Sequence, residues 1–223
     1  MCYGRREGIK MTITIAHTKG GVGKSIIAWN LAYAMQKRKE RVVIVDLDFQ
    51  QTLFFASEIR KQHKKEEITK STITVLQPQT PEEFISIINS SDYAECEIIV
   101  DVGGFDNDIN RTAITHADII VVPVSTDTTE IIGLQTFEAI LKELDTVPIS
   151  LLLNNIHHAT KNFTDIKALV ESIENAKLLK TIIRSSKAFD RTIAKGTSIV
   201  EGDNTKPKEQ IESLYKEIEK LKE

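Results

Sequence analysis

The densest chemistry in the chain lies in nine consecutive residues, His17-Thr18-Lys19-Gly20-Gly21-Val22-Gly23-Lys24-Ser25. Glycines at 20, 21 and 23 allow backbone angles closed to other residues and leave no Cβ between the chain and a ligand. Successive N–H groups can then converge on phosphate oxygens, with the positive end of a following helix behind them. The binding set read from this run is Gly20, Gly21, Val22, Gly23, Lys24, Ser25 and Ile26. Lys24 has the reach for β- and γ-phosphates, and the Ser25 hydroxyl is a ligand for Mg²⁺. Thr18 stands where the usual phosphate-loop pattern begins with glycine, and a second lysine, Lys19, lies inside the loop.

Three aspartates follow at the ends of apolar runs. Val42-Val43-Ile44-Val45-Asp46 is one such run, with Asp48 two residues on. Glu97-Ile98-Ile99-Val100-Asp101 is another, followed by Val102-Gly103-Gly104. In an open parallel sheet ligands bind outside the carboxyl ends of strands, which brings all three carboxylates near the phosphates. Asp101 there suits a water-mediated hold on Mg²⁺. Two strand-end aspartates can also serve as the N-cap of the next helix, so for Asp46 and Asp48 both readings stand.

Lys-Gly-Gly-Val-Gly-Lys-Ser resembles the signature of the deviant Walker A ATPases, which include ParA-type partition proteins, MinD and nitrogenase iron protein. The resemblance implies that Lys19 reaches across a homodimer interface to the partner's ATP, so that two subunits sandwich the nucleotide. Asp46-Leu47-Asp48-Phe49-Gln50-Gln51-Thr52 is similar to the family's Asp-x-Asp-Pro-Gln-Gly-Asn segment, with Phe49 for proline and Gln51 for glycine. By that likeness Asp48 handles the attacking water and Asp46 supports the Mg²⁺ shell. The catalytic set implied is Lys19, Lys24 and Asp48; the metal set is Ser25, Asp46 and Asp101. Asn154, ending the run Ile149-Ser150-Leu151-Leu152-Leu153, matches a position the family uses against adenine, although asparagine at a strand end is also a turn former.

These residues need a scaffold, and the patterning supplies one. Met11 to Ala16 is a strand before the loop, and a helix runs from Ile26 to Arg38. Continuously apolar strands at 42–46, 73–76, 97–102, 118–124 and 149–154 fit a sheet covered on both faces. Thr80-Pro81-Glu82-Glu83 is a helix start, and further helices are predicted over 53–70 and 128–144. The first of these carries Arg60, Lys61, Lys64 and Lys65 among glutamates and reads as a solvated face. The expected fold is α/β: one doubly wound, mostly parallel sheet of about seven strands with helices on both faces. It forms a single domain over 11–223, preceded by a flexible tail at 1–10 or an upstream start before Met11.

The whole composition narrows the function classes. A net charge of −3 over 223 residues leaves any nucleic-acid binding to a local patch. Cys2 and Cys96 are far apart and suit a reduced cytoplasm. No apolar run reaches the ~18 residues of a membrane span, so a soluble protein is expected. His157, His158 and His116 have no chelating spacing, and no metal other than Mg²⁺ is expected.

The C-terminal third carries the partner signals. Arg184, Lys187, Arg191 and Lys195 recur at spacings of three and four, so on a helix they form one cationic stripe. A solvated face explains such a stripe too, but the segment resembles the DNA-binding region of small plasmid-type ParA proteins. Phosphate contacts of that kind give salt-sensitive, sequence-independent affinity of roughly 10⁻⁴ to 10⁻⁶ M. From Lys206 an amphipathic helix with evenly mixed lysine and glutamate packs on the sheet; a membrane-surface helix would be clearly cationic. The resemblance therefore implies a slow ATPase whose ATP-bound dimer binds DNA on the nucleoid. A ParB-type centromere-binding adaptor would release it, in plasmid or chromosome segregation. A conjugation-associated relative shares every motif, and a dethiobiotin synthetase-like ligase of the same superfamily shares most.

Overall fold

In the computed structural model, which describes residues 11–63, 72–203 and 205–222, the apolar runs become parallel strands of one sheet. They are β1 (Thr12–Ile15), β2 (Val42–Asp46), β3 (Thr74–Leu76), β4 (Glu97–Asp101), β5 (Ile119–Val124), β6 (Ile149–Ile156) and β7 (Ala176–Arg184). Their spatial order is β3-β2-β4-β1-β5-β6-β7, and every pairing is parallel. The helices are α1 (Lys24–Lys37), α2 (Thr52–His63), α3 (Pro81–Ile88), α4 (Asp108–Thr115), α5 (Thr128–Leu141), α6 (Thr164–Ser172), α7 (Lys187–Ile193) and α8 (Thr205–Glu219).

Alternate strand residues feed two apolar layers. Ile13, Ile15, Ile44, Ile99, Val121 and Leu152 face α1, α2, α7 and α8. Ile98, Val100, Ile120, Val122, Leu151 and Leu153 face α3, α4, α5 and α6. This two-sided burial explains why β2, β4 and β5 read as unbroken apolar runs; β7, an edge strand with two lysines, carries no such run and is not expected from the sequence. The α3 start forms as expected, with the Thr80 hydroxyl accepting the Glu83 N–H.

Two sequence expectations change. The segment 182–196 is not one helix: 182–184 end β7, and α7 begins only at Lys187. Arg60 is not on a solvated face but is 2% exposed. Its guanidinium makes paired contacts of 2.9 and 2.6 Å with Glu201, donates to the Gly196 carbonyl at 2.9 Å, and lies 4.3 Å over the Tyr33 ring. Lys64 and Lys65, and the predicted helix beyond residue 63, lie outside the described residues, as does the predicted tail at 1–10.

As expected, α8 packs on the sheet, burying Ile211, Leu214, Tyr215 and Ile218. It also covers the β7 edge: the Glu217 carboxylate accepts the Lys180 and Thr181 N–H groups, and Gln210 accepts that of Arg184. Those bonds remove a row of donors that could template another strand. Just after α8, Lys222 Nζ lies 3.0 Å from buried Glu97 and 2.5 Å from Glu219. Lys222→Met removes one partner of the buried Glu97 carboxylate, and breaking a buried pair costs about 3 kcal/mol. Urea unfolding should register that loss; a change within about 0.5 kcal/mol would show that the latch is ornamental. Among the described residues no helix is long and apolar enough to cross a membrane.

Candidate functional site

The sheet register assembles the site at the carboxyl edge. Asp46 pairs with Asp101 in β2–β4, and Ile15, just before the loop, pairs with the same Asp101 in β1–β4. Three signature segments separated in sequence thus end on adjacent strands. The intervening loops touch: a Cβ on Gly103 would lie 3.2 Å from the Leu47 carbonyl, and one on Gly104 would lie 3.4 Å from the Gly20 nitrogen.

The phosphate loop takes the conformation its glycines allow. Gly21 and Gly23 have φ of 80° and 90°, in the left-handed region that glycine enters without penalty. Gly23 is the N-cap of α1 and has no side-chain cap, which leaves first-turn N–H groups for an anion. Gly20 and Gly21 face open space, while Val22 is buried and Ser25 and Ile26 are half-buried.

Lys24 is 5% exposed, and its ammonium donates to the Lys19 carbonyl at 3.1 Å. Burial lowers its pKa, against the opposing charges of Asp101 and Asp48. His17, 1% exposed, accepts the Lys19 N–H on Nδ1 at 3.0 Å. Its pKa falls to about 4, chiefly through burial and then through Lys24 and Lys19, so the ring is neutral near pH 7.

The three aspartates separate into different roles. Asp101 is fully buried, and among the described residues neither carboxylate oxygen receives a well-aligned hydrogen bond. The Ser25 hydroxyl is nevertheless close enough to lower its pKa, as Lys24 does; burial dominates and pushes it up to about 8, reinforced by Asp46. An unpartnered buried carboxylate beside a serine hydroxyl fits a divalent cation, because a bound cation would satisfy the oxygens that nothing else does. Among the described residues no cluster of three or more His, Cys, Asp or Glu is arranged to hold a metal.

Asp46 is tied to the backbone around it. One oxygen accepts the Leu53 and Phe54 N–H groups of α2 at 3.0 and 3.1 Å, and the other accepts the Asp48 N–H at 3.2 Å. It acts as the cap of α2, with its pKa raised to about 6 by burial against those hydrogen bonds. These bonds fix the loop that carries Asp48. Asp48 is half-buried, and its Oδ1 accepts the Gln50 N–H at 2.9 Å.

Asn154 reaches the phosphate loop from β6. Its Nδ2 donates to the Val22 carbonyl at 2.7 Å, and a Cβ on Gly23 would lie 2.4 Å from that nitrogen. The amide braces the phosphate loop. Arg184 leaves the cationic stripe: its Nη1 donates to the His157 and Thr160 carbonyls at 3.1 and 2.8 Å, tying down the loop after β6. Lys187, Arg191 and Lys195 are exposed in and just after α7, with Asp190 exposed among them.

Sequence reasoning missed an aromatic pair on the rim. Phe49, after Asp48, and Phe105, after Gly104, are 68% and 61% exposed, with ring centroids 5.3 Å apart. Both are large apolar groups in polar loop segments, which was the available signal.

With this geometry in place, comparison with known proteins is informative. The profile of the CobQ/CobB/MinD/ParA nucleotide binding domain matches residues 13–199. Protein ParA of Rhizobium radiobacter is 24% identical over 176 residues, covering 78% of this chain and 72% of that protein. A putative plasmid partition protein from Borrelia burgdorferi, solved with AMPPNP bound, superposes with a TM-score of 0.68 at 16% identity, covering 94% of this chain and 98% of its own. The MinD cell division protein of Aquifex aeolicus superposes with a TM-score of 0.71 at 19% identity, covering 94% and 97%.

Proposed function

The chain belongs to the CobQ/CobB/MinD/ParA family of nucleotide-binding domains, and on that premise we propose that it is a DNA-partition ATPase. In this reading ATP joins two subunits through Lys19, the dimer binds DNA without sequence preference, and a ParB-type adaptor triggers hydrolysis and release. The observation that carries the nucleotide chemistry is the convergence of left-handed glycines, buried Lys24 and unpartnered Asp101 at one sheet edge. Ser25 and Asp101 would hold Mg²⁺, which when bound neutralises charge on the β- and γ-phosphates. Lys24 stabilises the transferring phosphoryl group, and Asp48 orients the attacking water. Catalysis of this kind is positioning and charge stabilisation.

The exposed Phe49–Phe105 pair supports a surface that a second molecule covers, since large exposed apolar groups beside a polar site mark interaction faces. Lys187, Arg191 and Lys195 support the DNA step through their exposure. Asp48→Ala should keep ATP and self-association while turnover falls by about 10²–10⁴, the usual contribution of a positioned acid–base group. Unchanged phosphate release would remove Asp48 from the chemistry.

Binding to arbitrary duplex DNA with ATP, with ADP and without nucleotide, across a salt series, tests the output. ATP-dependent binding is expected, and Lys187→Gln with Arg191→Gln should lower affinity for all sequences alike. The salt slope should flatten by roughly one for each cation removed. Equal binding in all three nucleotide states would sink the partition reading, and little binding in any of them would favour the ligase alternative.

A further inference from the structure

We propose that His17 is a positioning residue for Lys19, and that it sets the direction in which that lysine leaves the phosphate loop. This rests on the reading of Lys19 as the group that reaches a second subunit's nucleotide.

The Lys19 peptide is held on both sides. Its N–H donates to His17 Nδ1 at 3.0 Å, and its carbonyl accepts Lys24 Nζ at 3.1 Å. The imidazole is itself fixed, stacked on Phe137 of α5 at 5.8 Å and 13° between planes. Gly133 of α5 completes the seat. A Cβ there would lie 3.1 Å from His17 Cε1, 3.4 Å from Lys19 Cβ and 3.6 Å from Lys19 Cδ. The Lys19 side chain therefore runs along α5 over the one position that offers it no side chain to climb.

The choice of histidine is informative because it is costly. With Nδ1 accepting, the neutral ring carries its proton on Nε2, and that buried N–H has no acceptor among the described residues. A buried donor without a partner is unfavourable, and phenylalanine at position 17 would remove that donor. What it would lose is the acceptor for Lys19. Asparagine, by contrast, is suited to accept the N–H two residues on through its own short turn.

The experiment compares Lys19→Ala, His17→Phe, His17→Asn and Gly133→Ala in the full chain. It measures self-association with Mg²⁺ and a non-hydrolysable ATP analogue by sedimentation, nucleotide affinity at dilutions where the protein is a monomer, and thermal stability. His17→Phe should melt no lower than the parent and bind nucleotide within about twofold. Its association should nevertheless weaken by about tenfold, the scale of one lost hydrogen bond. His17→Asn should restore association to within about threefold on the same scale. Gly133→Ala should weaken association through the opposite wall of the seat, and it carries the test if His17→Phe fails to fold.

Association of His17→Phe equal to the parent, or His17→Asn no better than His17→Phe, overturns the inference. In the case that His17→Phe does not fold, parental association of Gly133→Ala does the same. If Lys19→Ala itself associates normally, the fault lies in the dimer reading; if it fails while His17→Phe succeeds, only the positioning role falls.

Discussion

Lys24→Ala is expected to abolish nucleotide binding and to cut phosphate release by at least about 10²–10³, the usual cost of deleting one preorganised charge. The side chain is 5% exposed and its ammonium sits inside the loop on the Lys19 carbonyl. Its removal also takes away one of the two influences that hold down the Asp101 pKa, leaving Ser25. The carboxylate proposed to hold Mg²⁺ would then become harder to ionise. Lys24→Arg should not rescue, because a planar fork cannot replace a compact ammonium in so narrow a slot. Equilibrium dialysis with labelled ATP decides the matter. Retention of parental affinity would mean that the phosphates bind elsewhere.

Gly23→Ala should do comparable damage for a reason that only the coordinates supply. The residue has φ of 90°, and an added Cβ would meet Asn154 Nδ2 at 2.4 Å. The backbone strain alone costs about 1–3 kcal/mol, and the collision displaces the amide that braces Val22. The two causes can be separated. Adding Asn154→Ala to Gly23→Ala relieves the collision but not the strain, so stability should recover in part while ATP affinity stays low. Parental ATP affinity in Gly23→Ala would refute this account of the loop. Full recovery in the double variant would assign the whole effect to packing.

Much of the scaffold was legible because its signals are local. Glycine spacing, apolar strands and the Thr80-Pro81 start each act within a few residues, and the elements they predict are present. The misassignments share one cause, contacts between distant segments. Arg60 reads as surface by its neighbours in sequence, yet Glu201 and the Gly196 carbonyl, more than 130 residues away, draw it inside. Arg184 fits a helical spacing, but pairing with β6 makes residues 182–184 the end of a strand. Asp46 and Asn154 were each open to two readings. In both cases the fold brings a backbone group onto the side chain, a contact that local spacing does not announce.

The chain by itself determined which chemistry is possible. A glycine-rich turn between strand and helix binds phosphate by backbone geometry, and lysine and serine at its end follow from reach and hardness toward Mg²⁺. It also determined a sheet covered on both faces, because only such strands are apolar throughout. Tertiary structure alone decided the strand order, which sets β4 between β1 and β2 so that Asp101 faces the loop while Asp46 turns to α2. It decided as well that Asn154 would reach the loop from β6 and that α5 would seat His17 and Lys19 against Phe137 and Gly133. Side-chain roles depend on which backbone groups come within hydrogen-bonding distance, and that distance is set by the packing of the whole sheet rather than by any neighbour in sequence.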